Sequence, residues 1–352
     1  MQHLTLGRTD IRVPDLCLGT MTFGTQTPED DAFRQMDMAL DAGIDFFDTA
    51  EMYPVNPVRA ETVGDCERLI GRWLAARGTR DRVVLATKAG GDSAAIRGGE
   101  GYSGANIEAL VDASLQRLGT DSIDLYQLHW PMRGSYHFRQ NWTFDPSGQD
   151  REATLDHMAG VLEGLARARA AGKIRAFGLS NESCWGTIRW IDVADRVGGP
   201  RVASVQNEYS LLCRLYDTDM AEMAVNEDVT LLSFSPLAAG LLTGKYQDGG
   251  APPGSRRAVA MEVSGSGAMG GRWTPRVLPA VAAYLDVARK HELDPVHMAL
   301  AWQRTRPFPV SAIFGATTSD QLAHILAGKD LALAPEVVAD IDAAHRAHPM
   351  PY

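Results

Sequence analysis

Along almost the whole of this 352-residue chain, short apolar runs that end in a polar residue alternate with stretches of helical periodicity. Leu16 to Gly19, Ile44 to Asp48, Val83 to Lys88, Ile123 to His129, Ile174 to Leu179, Val202 to Gln206, Thr230 to Phe234 and Val310 to Gly315 read as strands. Strict alternation of β and α elements implies a parallel sheet with right-handed crossovers. About eight such units predict an α/β fold closed into a (β/α)8 TIM barrel rather than an open doubly wound sheet. Ahead of them, Leu4 to Leu6 and Ile11 to Val13 flank a Gly-Arg-Thr-Asp turn and predict a small hairpin.

Helix signals fill the intervals. Thr27-Pro28-Glu29-Asp30 predicts a threonine cap, a proline in the first helical position and acids in the first turn, with Gly43 as the stop. Leu155 to Ala170 carries Leu155, Met158, Leu162 and Leu165 on one face, and Asp294-Pro295 opens a helix that runs to Arg304. Two stretches break the rhythm. Residues 131–150 are polar and aromatic, and residues 249–275 are rich in Gly, Pro and Ser. Both predict long loops, of the kind that serve as lids or mobile segments. No linker intervenes, so one barrel domain over residues 1–352 is expected.

The bulk properties exclude some partners. With 45% hydrophobic residues the chain can bury a sizeable core. A net charge of −10 and the lack of any Lys/Arg block argue against a nucleic-acid or acidic-membrane partner. A small phosphorylated ligand needs only a local positive pocket. The N-terminal Met-Gln-His-Leu-Thr has no basic-then-apolar pattern, so no signal peptide is expected. No apolar run approaches the roughly 18 to 20 residues that span a bilayer. Cys17, Cys66, Cys184 and Cys213 are scattered, which predicts free thiols in a reducing, cytoplasmic setting. Nothing in the sequence sets an oligomeric state.

The strand ends carry the chemistry. In a parallel barrel all C-terminal strand ends open onto one face, where the active site lies. Here they read Asp48, Lys88, His129, Ser180-Asn181, Gln206, Ser235 and Gly315-Ala316-Thr317. Tyr53 follows Asp48 closely enough for a tight turn to return its phenol over the mouth. A tyrosine, with a reference pKa of about 10, is a poor acid at neutral pH. The Lys88 ammonium would lower that value, Asp48 would keep Lys88 charged, and His129 could hydrogen-bond the same oxygen. Singly, each has an ordinary reading: a helix cap for Asp48, packing for Tyr53, a solvated strand end for Lys88, a satisfied core position for His129. Their joint occurrence on successive strand ends is harder to explain structurally.

The segments LCLGTMTFG, FFDTAEMYP, LATKAGG, IDLYQLHWP, GKIRAFGLSNES and FSPLAAGLLTGKY resemble the aldo-keto reductase superfamily. Their order and spacing are most similar to its Tas-type bacterial branch, related to voltage-gated potassium channel β-subunits. The resemblance covers the chain from the hairpin to FGATTSDQL. It implies a (β/α)8 barrel closed below by the hairpin, and a catalytic tetrad of Asp48, Tyr53, Lys88 and His129. It also implies NADPH held across the mouth, with Thr20 and Met21 beside it and Ser180, Asn181 and Gln206 on the carboxamide. Phe234 falls where the family stacks a Trp or Tyr on the nicotinamide. Ser235, Pro236, Leu237 and Lys245 match the pyrophosphate stretch, and Arg256 matches a contact to the 2′-phosphate, which suits NADPH over NADH. Gly315, Thr317 and Gln321 match the adenosine side, where His324 and Ile325 depart from the family's Glu-Asn pair.

The activity so implied is reversible hydride transfer between NADPH and a small carbonyl or alcohol substrate, with Tyr53 handling the proton. Trp130, Tyr136 and Trp142 are candidates for the substrate pocket, or for packing of their loop. No metal is implied, because no His/Cys/Asp cluster has ligand spacing. Residues 265–270, Gly-Ser-Gly-Ala-Met-Gly, satisfy the G-x-G-x-x-G string but lie in a Gly/Ser loop rather than between a first strand and a helix. Two other functions fit parts of the pattern. One is a regulatory module like the channel β-subunits, which typically carry Asn where this chain has His129. The other is a Schiff-base aldolase using Lys88, which would need that lysine neutral.

Overall fold

The computed structural model describes residues 1–352. Strands β1 (His3–Thr5) and β2 (Arg12–Pro14) form the antiparallel hairpin. Eight parallel strands then close a barrel in the order β10-β3-β4-β5-β6-β7-β8-β9. They are β3 (Leu16–Gly19), β4 (Phe46–Asp48), β5 (Val84–Ala89), β6 (Ile123–Leu128), β7 (Ile174–Ser180), β8 (Val202–Glu208), β9 (Thr230–Phe234) and β10 (Val310–Phe314). The fold is a (β/α)8 barrel whose strand ends differ from the expected ones by at most two residues.

Side chains alternate across a strand, so the inward residues form layers. The lowest layer holds Cys17, Phe46, Ala86, Leu125, Ala176, Leu232 and Ile313, packed with Leu6, Ile11 and Val13 of the hairpin. The hairpin is therefore an apolar plug in the barrel floor. Gly7 makes that fit possible: its φ is +54°, and a Cβ there would stand 2.6 Å from the Ala203 carbonyl oxygen. Two residues beyond Phe46, Ala86 and Leu125 come Asp48, Lys88 and Gln127, so the polar layer sits one step above the floor.

Outside the barrel, 76 buried residues form the core between strands and helices. Two sequence expectations shift here. Helix Glu29–Asp41 has Pro28, not Thr27, at its cap. The Thr27 hydroxyl instead exchanges a hydrogen bond with Thr22 and donates to the Thr317 carbonyl. The stretch 249–275 is not all loop, because Arg256–Ser264 is helical, capped by the Ser255 hydroxyl on the Ala258 amide. Gly265 terminates that helix. The G-x-G-x-x-G string thus trails a helix instead of opening one. By contrast, Asp294 caps helix Pro295–Gln303 through the Val296 and His297 amides, with Pro295 in its first turn. No helix is long and apolar enough to cross a membrane.

Candidate active site

Asp48 and Lys88 meet at the end of β4 and β5, with Nζ 2.6 Å from Oδ2. Both are buried, and Lys88 is fully so. Asp48 therefore caps no helix, and Lys88 is no solvated strand end. Lys88 also donates to the Thr49 carbonyl at 2.7 Å. The other Asp48 oxygen accepts from Gln127 Nε2 at 3.1 Å and Gln206 Nε2 at 2.9 Å. Three side-chain donors, from Lys88, Gln127 and Gln206, thus compensate the burial of this carboxylate.

Beyond Asp48 the chain keeps laddering on β5, with the Thr49 and Glu51 amides donating to the Ala86 and Lys88 carbonyls. A turn closed by the Tyr53 amide on the Ala50 carbonyl then swings back. It leaves the Tyr53 ring centroid 4.9 Å from Lys88 Nζ and 5.7 Å from the His129 ring, edge-on. The four residues expected together are together.

Their charges refine the expectation. Burial pushes the Tyr53 phenol above its usual range; Lys88 pulls it down, and Asp48 pushes it up again. The net shift is upward, opposite to what Lys88 alone would give, because desolvation of a phenolate outweighs one ammonium already neutralised by Asp48. Burial also works against the Lys88 charge, but Asp48 and then Tyr53 hold the ammonium above its ordinary value. Burial, then Lys88, drives the His129 imidazole well below its usual range, so it is neutral at pH 7.

That last shift predicts a pH effect on stability. With the folded value depressed, the unfolded chain takes up the proton first as pH falls below about 6.5, and stability declines from there. His129→Gln is expected to lose less stability than the wild type between neutral pH and about pH 5. Parallel decline of the two denaturant midpoints would refute this.

The predicted cofactor residues are arranged unevenly around the mouth. Ser180 donates to the Gln206 carbonyl at 2.9 Å, and Asn181 Nδ2 donates to the His129 carbonyl at 2.9 Å. Asn181 Oδ1 is buried without a partner. Gln206 Nε2 is committed to Asp48 and Gln127, which leaves its side-chain oxygen, Oε1, for any ligand. Thr20 is fully buried just past the end of β3, its amide and hydroxyl both donating to the Asp48 carbonyl. Phe234 ends β9 half-buried and in register with Glu208. Pro236 is buried and Leu237 packs on the core.

Met21 and Arg256 meet, with Sδ 3.9 Å from Nη2. Arg256 pairs with no carboxylate, and burial, then Arg272, lowers its guanidinium to about 10, still charged at neutral pH. Lys245 is also without a carboxylate, its Nζ 5.2 Å from the Tyr246 ring centroid. Arg257 differs: it lies 3.5 Å from the Trp273 ring centroid and donates to the Gly250 carbonyl, so it holds the loop. Gly315 is exposed beside Gly19, and Gln321 Oε1 accepts from both the Thr317 amide and hydroxyl. His324 stacks on His297 at 4.8 Å, and Ile325 is buried, so neither offers the family's polar pair.

Trp130 packs beside His129, with ring centroids 5.1 Å apart, and Tyr136 lines a cavity with Phe138, Tyr216 and Glu208. Trp142 does not join them. The turn in which the Thr143 and Phe144 amides donate to the Gln140 carbonyl leaves it 66% exposed.

Two groups escaped the sequence reading. Gln127 is the buried amide that links Asp48 to Gln206, and a lone polar residue two before His129 on an inward strand face was its signal. Glu208 binds Arg272 at 2.9 Å, Arg139 at 2.7 Å and the Tyr352 hydroxyl at 3.3 Å. Burial works against the Glu208 charge, yet Arg272 and Arg139 hold its carboxyl below the usual range.

A sequence model of the Aldo/keto reductase family matches residues 15–346. Protein tas of Escherichia coli (strain K12) is 40% identical over 100% of this chain and 99% of its own length. The uncharacterized oxidoreductase YrpG of Bacillus subtilis (strain 168) is 32% identical, over 96% of this chain and 94% of its own. A probable voltage-gated potassium channel subunit beta of Oryza sativa subsp. japonica is 28% identical over 99% and 98%. Matched from barrel floor to last helix, with an ion pair, a phenol and an imidazole gathered at the barrel mouth, the chain belongs to the aldo/keto reductase family of oxidoreductases.

Proposed function

We propose that the protein is an NADPH-dependent reductase of aldehydes or ketones, working reversibly, with Tyr53 as general acid and base. The observation that carries this reading is the buried Asp48–Lys88 pair beneath the Tyr53 ring. A phenol raised by burial holds its proton until an alkoxide develops against it, and Lys88 then stabilises the phenolate left behind. Asp48 keeps Lys88 charged throughout. The neutral His129 can hydrogen-bond a substrate oxygen without adding charge.

The residues present fit a nicotinamide dinucleotide phosphate, which would supply the hydride. The orphaned Asn181 Oδ1 suits an amide N–H donor, and the unpaired cations Arg256 and Lys245 suit phosphates. Phe234 would give an apolar face for stacking, and Gly315, Thr317 and Gln321 would meet the adenosine. Trp130 and Tyr136 would wall the substrate side. Lys88 held as an ammonium argues against a Schiff-base aldolase.

The test is fluorescence titration of the whole chain with NADPH and NADH, then loss of NADPH absorbance with para-nitrobenzaldehyde and DL-glyceraldehyde. Tighter binding of NADPH with turnover of either aldehyde is expected; no binding of either nucleotide sinks the reading. Arg256→Ala is expected to weaken NADPH roughly 10- to 100-fold, the worth of a charge-assisted, bidentate contact, and to leave NADH nearly unchanged. Equal weakening of both would assign Arg256 a role other than the 2′-phosphate.

A further inference from the structure

Asp294, His297 and His324 lie on the outside of the barrel, where helix Pro295–Gln303 meets helix Ser319–Ala327. Their ligand-type atoms all fall within 4.8 Å of one another. We propose that this cluster is a binding site for a divalent cation of the Zn2+ class, bridging the two helices. The site is independent of the reductase reading and shares no residue with the catalytic group.

Four features build it. His297 Nε2 lies 2.6 Å from the His324 carbonyl oxygen, which can only accept, so Nε2 carries the ring proton. The lone pair of the neutral ring is then on Nδ1, 3.9 Å from Asp294 Oδ1. That Nδ1 accepts no hydrogen bond from the protein, and a ring whose far nitrogen is anchored on a backbone carbonyl is the usual posture of a metal-binding histidine. Second, Asp294 uses Oδ1 for the helix cap, at 2.8 and 3.1 Å from two amides, which leaves Oδ2 for a cation. His324 Nε2 is 3.1 Å from that Oδ2.

Third, Gly328 makes room for the ring. A Cβ there would stand 2.1 Å from His297 Cγ, so a larger residue would displace the imidazole. Fourth, the His324 side chain is 50% exposed and Asp294 32% exposed, so an ion can enter and His324 can turn to close the site. Ligand atoms of a tetrahedral zinc site lie about 3.3 Å apart, a small adjustment from these distances. Two imidazoles and one carboxylate favour Zn2+ over Mg2+ or Ca2+, which take oxygen ligands, and leave a fourth position for water. Bound metal would pin the helix that carries Gln321, one turn from His324.

Titration calorimetry of the whole, chelator-stripped chain with zinc chloride tests this, alongside Co2+ absorption spectra. One site is expected in the wild type, weakened at least about tenfold in both His324→Ala and Asp294→Asn. Asparagine caps a helix as well as aspartate does, so loss in Asp294→Asn does not reflect a frayed helix. Mg2+ is expected not to compete. No zinc binding by the wild type, or equal binding by the variants, overturns the proposal. So does a thiolate-to-cobalt charge-transfer band, which would put the ion on the partly exposed Cys184.

Discussion

Tyr53→Phe is expected to lower turnover of an aldehyde roughly 100- to 10,000-fold, the usual worth of a positioned general acid. NADPH affinity and thermal stability should change little. The phenyl ring keeps the packing against His129 and Lys88 that the tyrosine has, and the phenol oxygen makes no hydrogen bond to the backbone that its removal would orphan. The loss should fall on kcat and kcat/KM alike, because the proton is needed only in the transition state. Steady-state kinetics with NADPH and para-nitrobenzaldehyde, beside nucleotide titration of the same variant, separates the outcomes. A variant that binds NADPH and retains more than about a tenth of wild-type turnover would remove Tyr53 from the proton path.

How far the sequence disclosed this site depends on how locally each part is built. The strands were legible because apolar runs of barrel length alternate with helical periodicity. Asp48, Lys88 and His129 were legible because each directly ends or follows such a run. Gln127 sits inside its strand, where one polar residue among apolar neighbours is easily passed over, although its inward face gave the clue. Glu208 was further from reach, since its partners Arg139 and Arg272 come from two loops, 69 and 64 residues away. The same holds for His324, 27 residues after His297, which no spacing rule joins to Asp294. Helix Arg256–Ser264 was masked by the glycines and prolines around it, though Pro-Pro-Gly-Ser before Arg256 ends in a good cap residue. At Thr27 a local capping rule lost to tertiary hydrogen bonds with Thr22 and Thr317.

The Asp48–Lys88 pair should cost most when broken from one side. Lys88→Met leaves a buried carboxylate held only by the Gln127 and Gln206 amides, and about 3–5 kcal/mol of stability should go with the ammonium. The double variant Asp48→Asn/Lys88→Met removes both charges and should recover most of that loss, so the two single effects are not additive. Because the folded Lys88 value is raised, its contribution is present at every pH below about 10.4 and is lost only as pH rises through the folded value. Asp48→Asn alone reverses the direction. With its main counter-charge gone, burial governs, the lysine sheds its proton more readily, and a buried neutral amine becomes available for imine chemistry. Borohydride with an aldehyde is therefore expected to trap Lys88 in Asp48→Asn and not in the wild type, read by intact mass. Trapping in the wild type would mean that Asp48 does not keep the lysine charged, and the reductase mechanism would lose the cation that its phenolate requires.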